Sequence, residues 1–112
     1  KPAALQVIPE KTVLDNTGSD LSFVKVAIVD SKGRVVPRSK NHLKFTVTGP
    51  VEIVATDNGD ATSLLPFQLP ERDAYNGLAL VILRGKYGES GKATLKVESK
   101  GLKKQSIPLL VK

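Results

Sequence analysis

The chain has 112 residues, enough for one unit that buries roughly two thirds of its unfolded surface and too few for a deep two-domain active-site cleft. It holds no cysteine, methionine or tryptophan and one histidine, His42, which excludes a disulfide framework, a thiolate nucleophile, a zinc–cysteine site and a multi-histidine metal centre. Seventeen Lys and Arg against eleven Asp and Glu give a net charge of +6, but the bases are scattered singly apart from Lys103-Lys104, and the three Phe and two Tyr are not interleaved with them. That pattern describes solvated strand faces rather than a nucleic-acid interface.

In chain order, Leu5 and Val7, with Val13 beyond, mark an opening strand broken at Pro9, because proline donates no ladder hydrogen bond. Leu21 to Asp30 alternates: Val24, Val26 and Ile28 share one face, and Phe23, Lys25, Ala27 and Val29 share the other. Leu43, Phe45 and Val47 alternate with polar neighbours, and Val51 to Ala55 reads as a short strand. Leu78 to Leu83 is apolar on both faces, which predicts a central strand. Ala93, Leu95 and Val97 alternate again, and Ser106 to Val111 closes the chain, with Pro108 predicting an edge position. Turn residues punctuate these runs at Asn16-Thr17-Gly18, Asp30-Ser31-Lys32-Gly33, Thr48-Gly49-Pro50, Asp57-Asn58-Gly59-Asp60, Gly85-Lys86-Tyr87-Gly88 and Lys100-Gly101.

No segment sustains a helical period. About seven short strands predict an all-β, immunoglobulin-like antiparallel β-sandwich without a disulfide, with a closed barrel as the alternative. Residues 1–112 are read as a single domain. Because the chain opens on Lys1-Pro2 without an initiator methionine, it is expected to be an excised piece of a larger polypeptide. No signal peptide and no run near the ~20 apolar residues of a spanning helix is present in it.

One stretch breaks the pattern. Asp57 to Asn76 reads as a long, proline-punctuated loop, either functional or packed down by Leu64, Leu65, Phe67 and Leu69. Its Asp57/Asp60 and Glu71/Asp73 pairs have the composition of a glycosidase carboxylate pair, but a domain this small offers no substrate groove, and turn chemistry explains them better. Asp57, Asn58, Asp60 and Thr62 also offer hard oxygen ligands, without the spacing of a calcium loop, so no metal and no cofactor is expected. Arg72 stands between Glu71 and Asp73 and is placed to fork onto Asp57 or Asp60 and tie the loop shut. Tyr75 reads either as a core tyrosine at a strand corner or as a sugar-stacking ring, with Tyr87 the other candidate aromatic. His42 opens a strand in a polar stretch and lacks a serine elbow to serve, so a solvated or edge position is expected.

The pieces Leu21 to Asp30, Gly33-Arg34-Val35-Val36-Pro37, Phe45 to Pro50, Ile53 to Asp60 and Tyr75 to Ile82 together resemble the C-terminal immunoglobulin-like domain of family 2 glycoside hydrolases, most of all Bacteroides-type β-galactosidases. This chain has Asp60-Ala61-Thr62 where that family commonly has Asp-Pro-Thr, and Tyr75 where phenylalanine is common. The resemblance implies a non-catalytic accessory domain. Its partners would be the catalytic barrel and neighbouring sandwiches of the parent enzyme, and its setting periplasmic or cell-surface. A carbohydrate-binding module contacting oligosaccharide, or a stalk or adhesin repeat, are the alternatives. Asp57, Asn58, Asp60, Arg72, Tyr75 and Tyr87 are the candidate contact residues.

Overall fold

The computed structural model describes residues 1–59 and 70–112. Nine strands form among them: β1 (Ala4–Pro9), β2 (Val13–Leu14), β3 (Leu21–Val29), β4 (His42–Thr48), β5 (Val51–Asp57), β6 (Glu71–Asp73), β7 (Leu78–Gly85), β8 (Gly91–Glu98) and β9 (Gln105–Val111). They make two sheets, one ordered β1-β3-β7-β5 and the other β2-β9-β8-β4-β6, stacked as a sandwich. Every pairing is antiparallel except β2 with β9.

Alternation places the core. Val24, Val26 and Ile28 of β3 are fully buried, as are Val81 and Leu83 of β7. They face Leu43 and Phe45 of β4 and Leu95 and Val97 of β8 across the sandwich. Strand residues two apart share a face, so each apolar set of the sequence becomes one inner surface. The all-β sandwich expected from the sequence is therefore the fold.

Nine strands form rather than about seven, for two reasons. The opening strand divides at Pro9: β1 lies on one sheet and β2 crosses to the other, where Leu14 reaches the core. The stretch expected to be all loop contains β6, whose three residues pair with His42 to Lys44. The expected edge position of the last strand needs correction as well. β9 has a neighbour on each side. Its Leu110 and Lys112 amides donate to Thr12 and Leu14 of the β2 segment. The nitrogen of Pro108 faces that same side but lies beyond the end of β2, so no ladder bond is lost there.

The chain enters β7 through a tight turn. Asn76 and Gly77 both have positive φ, 53° and 78°. Tyr75 and Leu78 exchange both backbone bonds, at 2.9 and 3.0 Å. Two consecutive positive φ values define the mirror-image turn that Asn-Gly favours.

Candidate functional site

The end of β5, the short β6 and the start of β7 bring several of the candidate residues together. Residues adjacent in a strand point to opposite faces. Thr56 points into the sandwich and is buried, whereas Asp57 points outward, opposite Leu80. Arg72 pairs with Leu43 in register and shares its inward direction, and it is only 1% exposed. Its guanidinium consequently meets Thr56. Nε donates to Thr56 Oγ1 at 3.3 Å, and Nη2 donates to Thr56 Oγ1 at 3.2 Å and to the Thr56 carbonyl at 3.1 Å. Among the described residues the bonds therefore run to Thr56 and not to Asp57, and Asp60 lies outside the described residues. β5 and β6 are edge strands of different sheets, so this contact joins the two layers along one side.

Asp57 and Asn58 are held locally. Asp57 Oδ1 accepts from the Asn58 and Gly59 amides at 2.8 and 3.1 Å, the bonding expected of an Asx turn. Asn58 Nδ2 donates to the Asp73 carbonyl at 2.6 Å, which stitches the turn to β6.

Tyr75 is not a core tyrosine. The residue is 37% exposed, and Ala74 takes the inward position at 1%. Tyr75 precedes β7 and Tyr87 follows it, at the other end of the sheet. An eight-residue strand separates the two ends by about 25 Å. The two rings therefore cannot form one platform under a sugar. Tyr87 is 80% exposed and lies close over Gly18, where a Cβ would approach its own Cβ to 3.3 Å.

Sequence reasoning missed one constellation. His42 stands opposite Asp73 in the β4–β6 ladder, with Glu71 two residues along the same face. Nδ1 lies 2.5 Å from Asp73 Oδ1 and Nε2 lies 2.8 Å from Glu71 Oε1. A neutral imidazole has one N–H, so serving both carboxylates favours the doubly protonated ring. The hydrogen bond to Asp73, then that to Glu71, holds the His42 pKa above its ordinary value of 6.5, against the opposing effect of burial. The partners are separated by 31 and 29 residues, so no local spacing could have signalled the clamp.

The clamp gives a signed expectation. A raised folded-state pKa makes the stabilisation complete below pH 6.5 while the carboxylates stay ionised, and it fades as pH rises through the folded-state value. Half of the imidazole is exposed, so the effect is below about 1 kcal/mol. An NMR titration of the His42 ring should show the elevated pKa, and Asp73→Asn should lower it more than Glu71→Gln.

Among the described residues no group of three or more His, Cys, Asp or Glu is placed to hold a metal ion. Among the described residues no helix is long and apolar enough to cross a membrane.

Two stacked, mostly antiparallel sheets with no cysteine define a disulfide-free sandwich of the immunoglobulin-like class. The family model described as glycoside hydrolase family 2 C-terminal domain 5 matches residues 5–108, and the chain belongs to that family. It is 38% identical over 103 residues to the β-galactosidase BoGH2A of Bacteroides ovatus, covering 92% of this chain and 12% of that protein. It is 32% identical over 114 residues to a β-glucuronidase of Formosa agariphila, covering 97% of this chain and 11% of that protein. A β-glycosidase structure from Bacteroides vulgatus superimposes with a TM-score of 0.94 at 27% identity, over 99% of this chain and 14% of that one. The chain thus spans about an eighth of the length of these relatives.

Proposed function

We propose that residues 1–112 are a single accessory sandwich of a bacterial family 2 glycoside hydrolase, a β-galactosidase or a closely related β-glycosidase, and that catalysis takes place elsewhere in the same polypeptide. The observation that carries this reading is the family match over residues 5–108 in a chain about an eighth as long as the enzymes it resembles. The chemistry of the described residues supports it. A glycosidase needs one carboxyl group to donate a proton and another to attack or activate water, both facing a sugar. The Glu71 and Asp73 side chains are instead engaged by His42 at the sheet edge, and Asp57 holds its own turn. The periplasm or the cell surface is the setting proposed for the parent, by analogy with its bacterial relatives. For an oligosaccharide role the described residues offer Tyr75 and Tyr87, exposed rings at opposite ends of β7 that share no platform.

The test compares the 112-residue chain with the polypeptide encoded by the complete reading frame, on aryl β-galactosides and β-glucuronides. The full polypeptide should hydrolyse one of them, and the 112-residue chain should show no turnover above buffer. Hydrolysis by the short chain, or a reading frame of repeated sandwiches without a glycosidase barrel, would overturn the assignment.

A further inference from the structure

The outer faces of the two sheets differ in kind. On the β2-β9-β8-β4-β6 sheet, cross-strand register lines up Lys44 with Glu98 and Thr46 with Lys96 and Ser106, a solvated centre, and its exposed apolar side chains, Val13 and Leu110, sit at the β2–β9 edge beside Lys92. On the β1-β3-β7-β5 sheet the corresponding rows are Phe23 with Ile82 and Ala55, and Ile8 with Lys25, Leu80 and Asp57. Ile8, Phe23 and Leu78 on this face are 51%, 41% and 47% exposed. Two shallow grooves run on either side of Lys25, one lined by Ile8 and Phe23 and the other by Leu78 and Leu80. The polar margin comes from Glu10, Asp57 and the Arg84–Glu52 ion pair. An apolar centre within a charged rim is the anatomy of a protein interface, and a solvated antiparallel sheet would carry polar residues at these positions.

Two observations identify the occupant. The family is a C-terminal domain, and its relatives carry such a unit as 11–14% of a chain, so most of their polypeptide lies elsewhere. Residues 1–3 lead directly into β1, the edge strand of the apolar sheet, where the Ala3 amide donates to the Val29 carbonyl at 2.8 Å. Polypeptide on the Lys1 side therefore arrives at the apolar sheet and not at the lysine-bearing one.

We propose that the outer face of β1-β3-β7-β5, centred on Phe23 and Leu80, is the surface on which this domain seats against the preceding part of its own polypeptide. The inference rests on the accessory-domain reading and specifies the face that reading requires. The complementary surface is apolar, with a carboxylate opposite Lys25, which makes no ion pair among the described residues. Burying Lys25 in such an interface requires that partner.

The experiment uses the full polypeptide. Lys25→Cys places a thiol at the centre of the proposed interface, and Lys96→Cys places one on the opposite sheet; this chain supplies no other cysteine. Thiol labelling with a bulky maleimide is followed by mass spectrometry, with the unsubstituted protein as background. At Lys25→Cys, labelling should be at least about tenfold slower than at Lys96→Cys in the native protein and equal to it after denaturation, with no dependence on protein concentration. Equal native rates would show an open face and overturn the proposal. Protection that vanishes on dilution would assign the face to a second copy, and protection that appears only with added galacto-oligosaccharide would assign it to sugar; either outcome overturns it. β-Glycosidase activity in the same preparation separates the two readings. A protected thiol in a protein without that activity leaves the seating intact and removes the enzyme assignment. An unprotected thiol in an active enzyme does the reverse.

Discussion

Arg72→Ala is expected to destabilise the 112-residue chain by about 3 kcal/mol, lowering its melting temperature by roughly 10–20 °C. Arg72 heads the largest fully buried side chains, so truncation opens a void between the sheets as well as removing hydrogen bonds. The guanidinium is always charged and stays inside only because its donors are engaged; Thr56 accepts through both its hydroxyl and its carbonyl. Arg72→Lys should recover little, because a single ammonium cannot reproduce the planar fork. Arg72→Met restores much of the volume without the bonds and should fall between wild type and alanine. Thr56→Val should cost about 1 kcal/mol, and the double variant should lose less than the sum of the two, with a coupling near 1 kcal/mol or more. A melting temperature for Arg72→Ala within 2 °C of wild type would mean that the β5–β6 contact does not hold the layers together.

The sequence showed Arg72 as a residue of interest and offered Asp57 or Asp60 as its partner; Asp60 lies outside the described residues, and Thr56 rather than Asp57 takes the inward place for a geometric reason. Asp57 and Thr56 are adjacent, and which of them faces the interior depends on strand register. β5 carries an irregularity between Ile53 and Ala55 that resets its alternation against β7. No composition rule locates such a bulge. The inner faces of β3, β4 and β8, by contrast, were legible because their ladders run without a register shift, and Val24, Leu43 and Leu95 are buried as strand alternation requires. β7 was legible as a central strand from its apolar run. Half of that run, at Leu78, Leu80 and Ile82, turns out to face away from the core, so the same feature that announced the strand also encodes the apolar outer sheet. β6 went unseen because three charged residues carry no strand signal. Their ladder with β4 includes His42, whose clamp joins residues too far apart in sequence to be recognised. The Asp57-Asn58 turn has a local signature, and it is held by the bonds its residue types favour. Tyr75 was ambiguous by one position. The side chain entering the core is Ala74, and a single-residue slip reverses every face assignment.

Gly77→Ala is expected to be destabilising by about 3 kcal/mol or more, whereas Gly33→Ala should cost about 1 kcal/mol. The two glycines have the same φ of 78°, so the left-handed backbone penalty of about 1–2 kcal/mol is common to both. Their surroundings differ. A Cβ on Gly33 would meet nothing within 4 Å, whereas one on Gly77 would lie 2.3 Å from the Val36 carbonyl oxygen and 2.9 Å from Val35 Cγ1. The Val35 side chain can yield, but the Val36 carbonyl belongs to backbone that is itself anchored, since the Val36 amide donates to Ile28 at 2.8 Å. Gly77 is fixed from the other side too: its amide donates to Ser39 at 3.1 Å and its carbonyl accepts from Ile28 at 2.8 Å. Relieving the clash would therefore break bonds that bind the turn to β3 and to the segment after it. It would also move the start of β7, the central strand that carries Ala79, Val81 and Leu83 into the core. Urea unfolding of the two variants measures the difference directly, because the common φ cancels and the remainder reports the close approach. Equal costs for the two substitutions would show that the turn lifts away from Val36 without penalty.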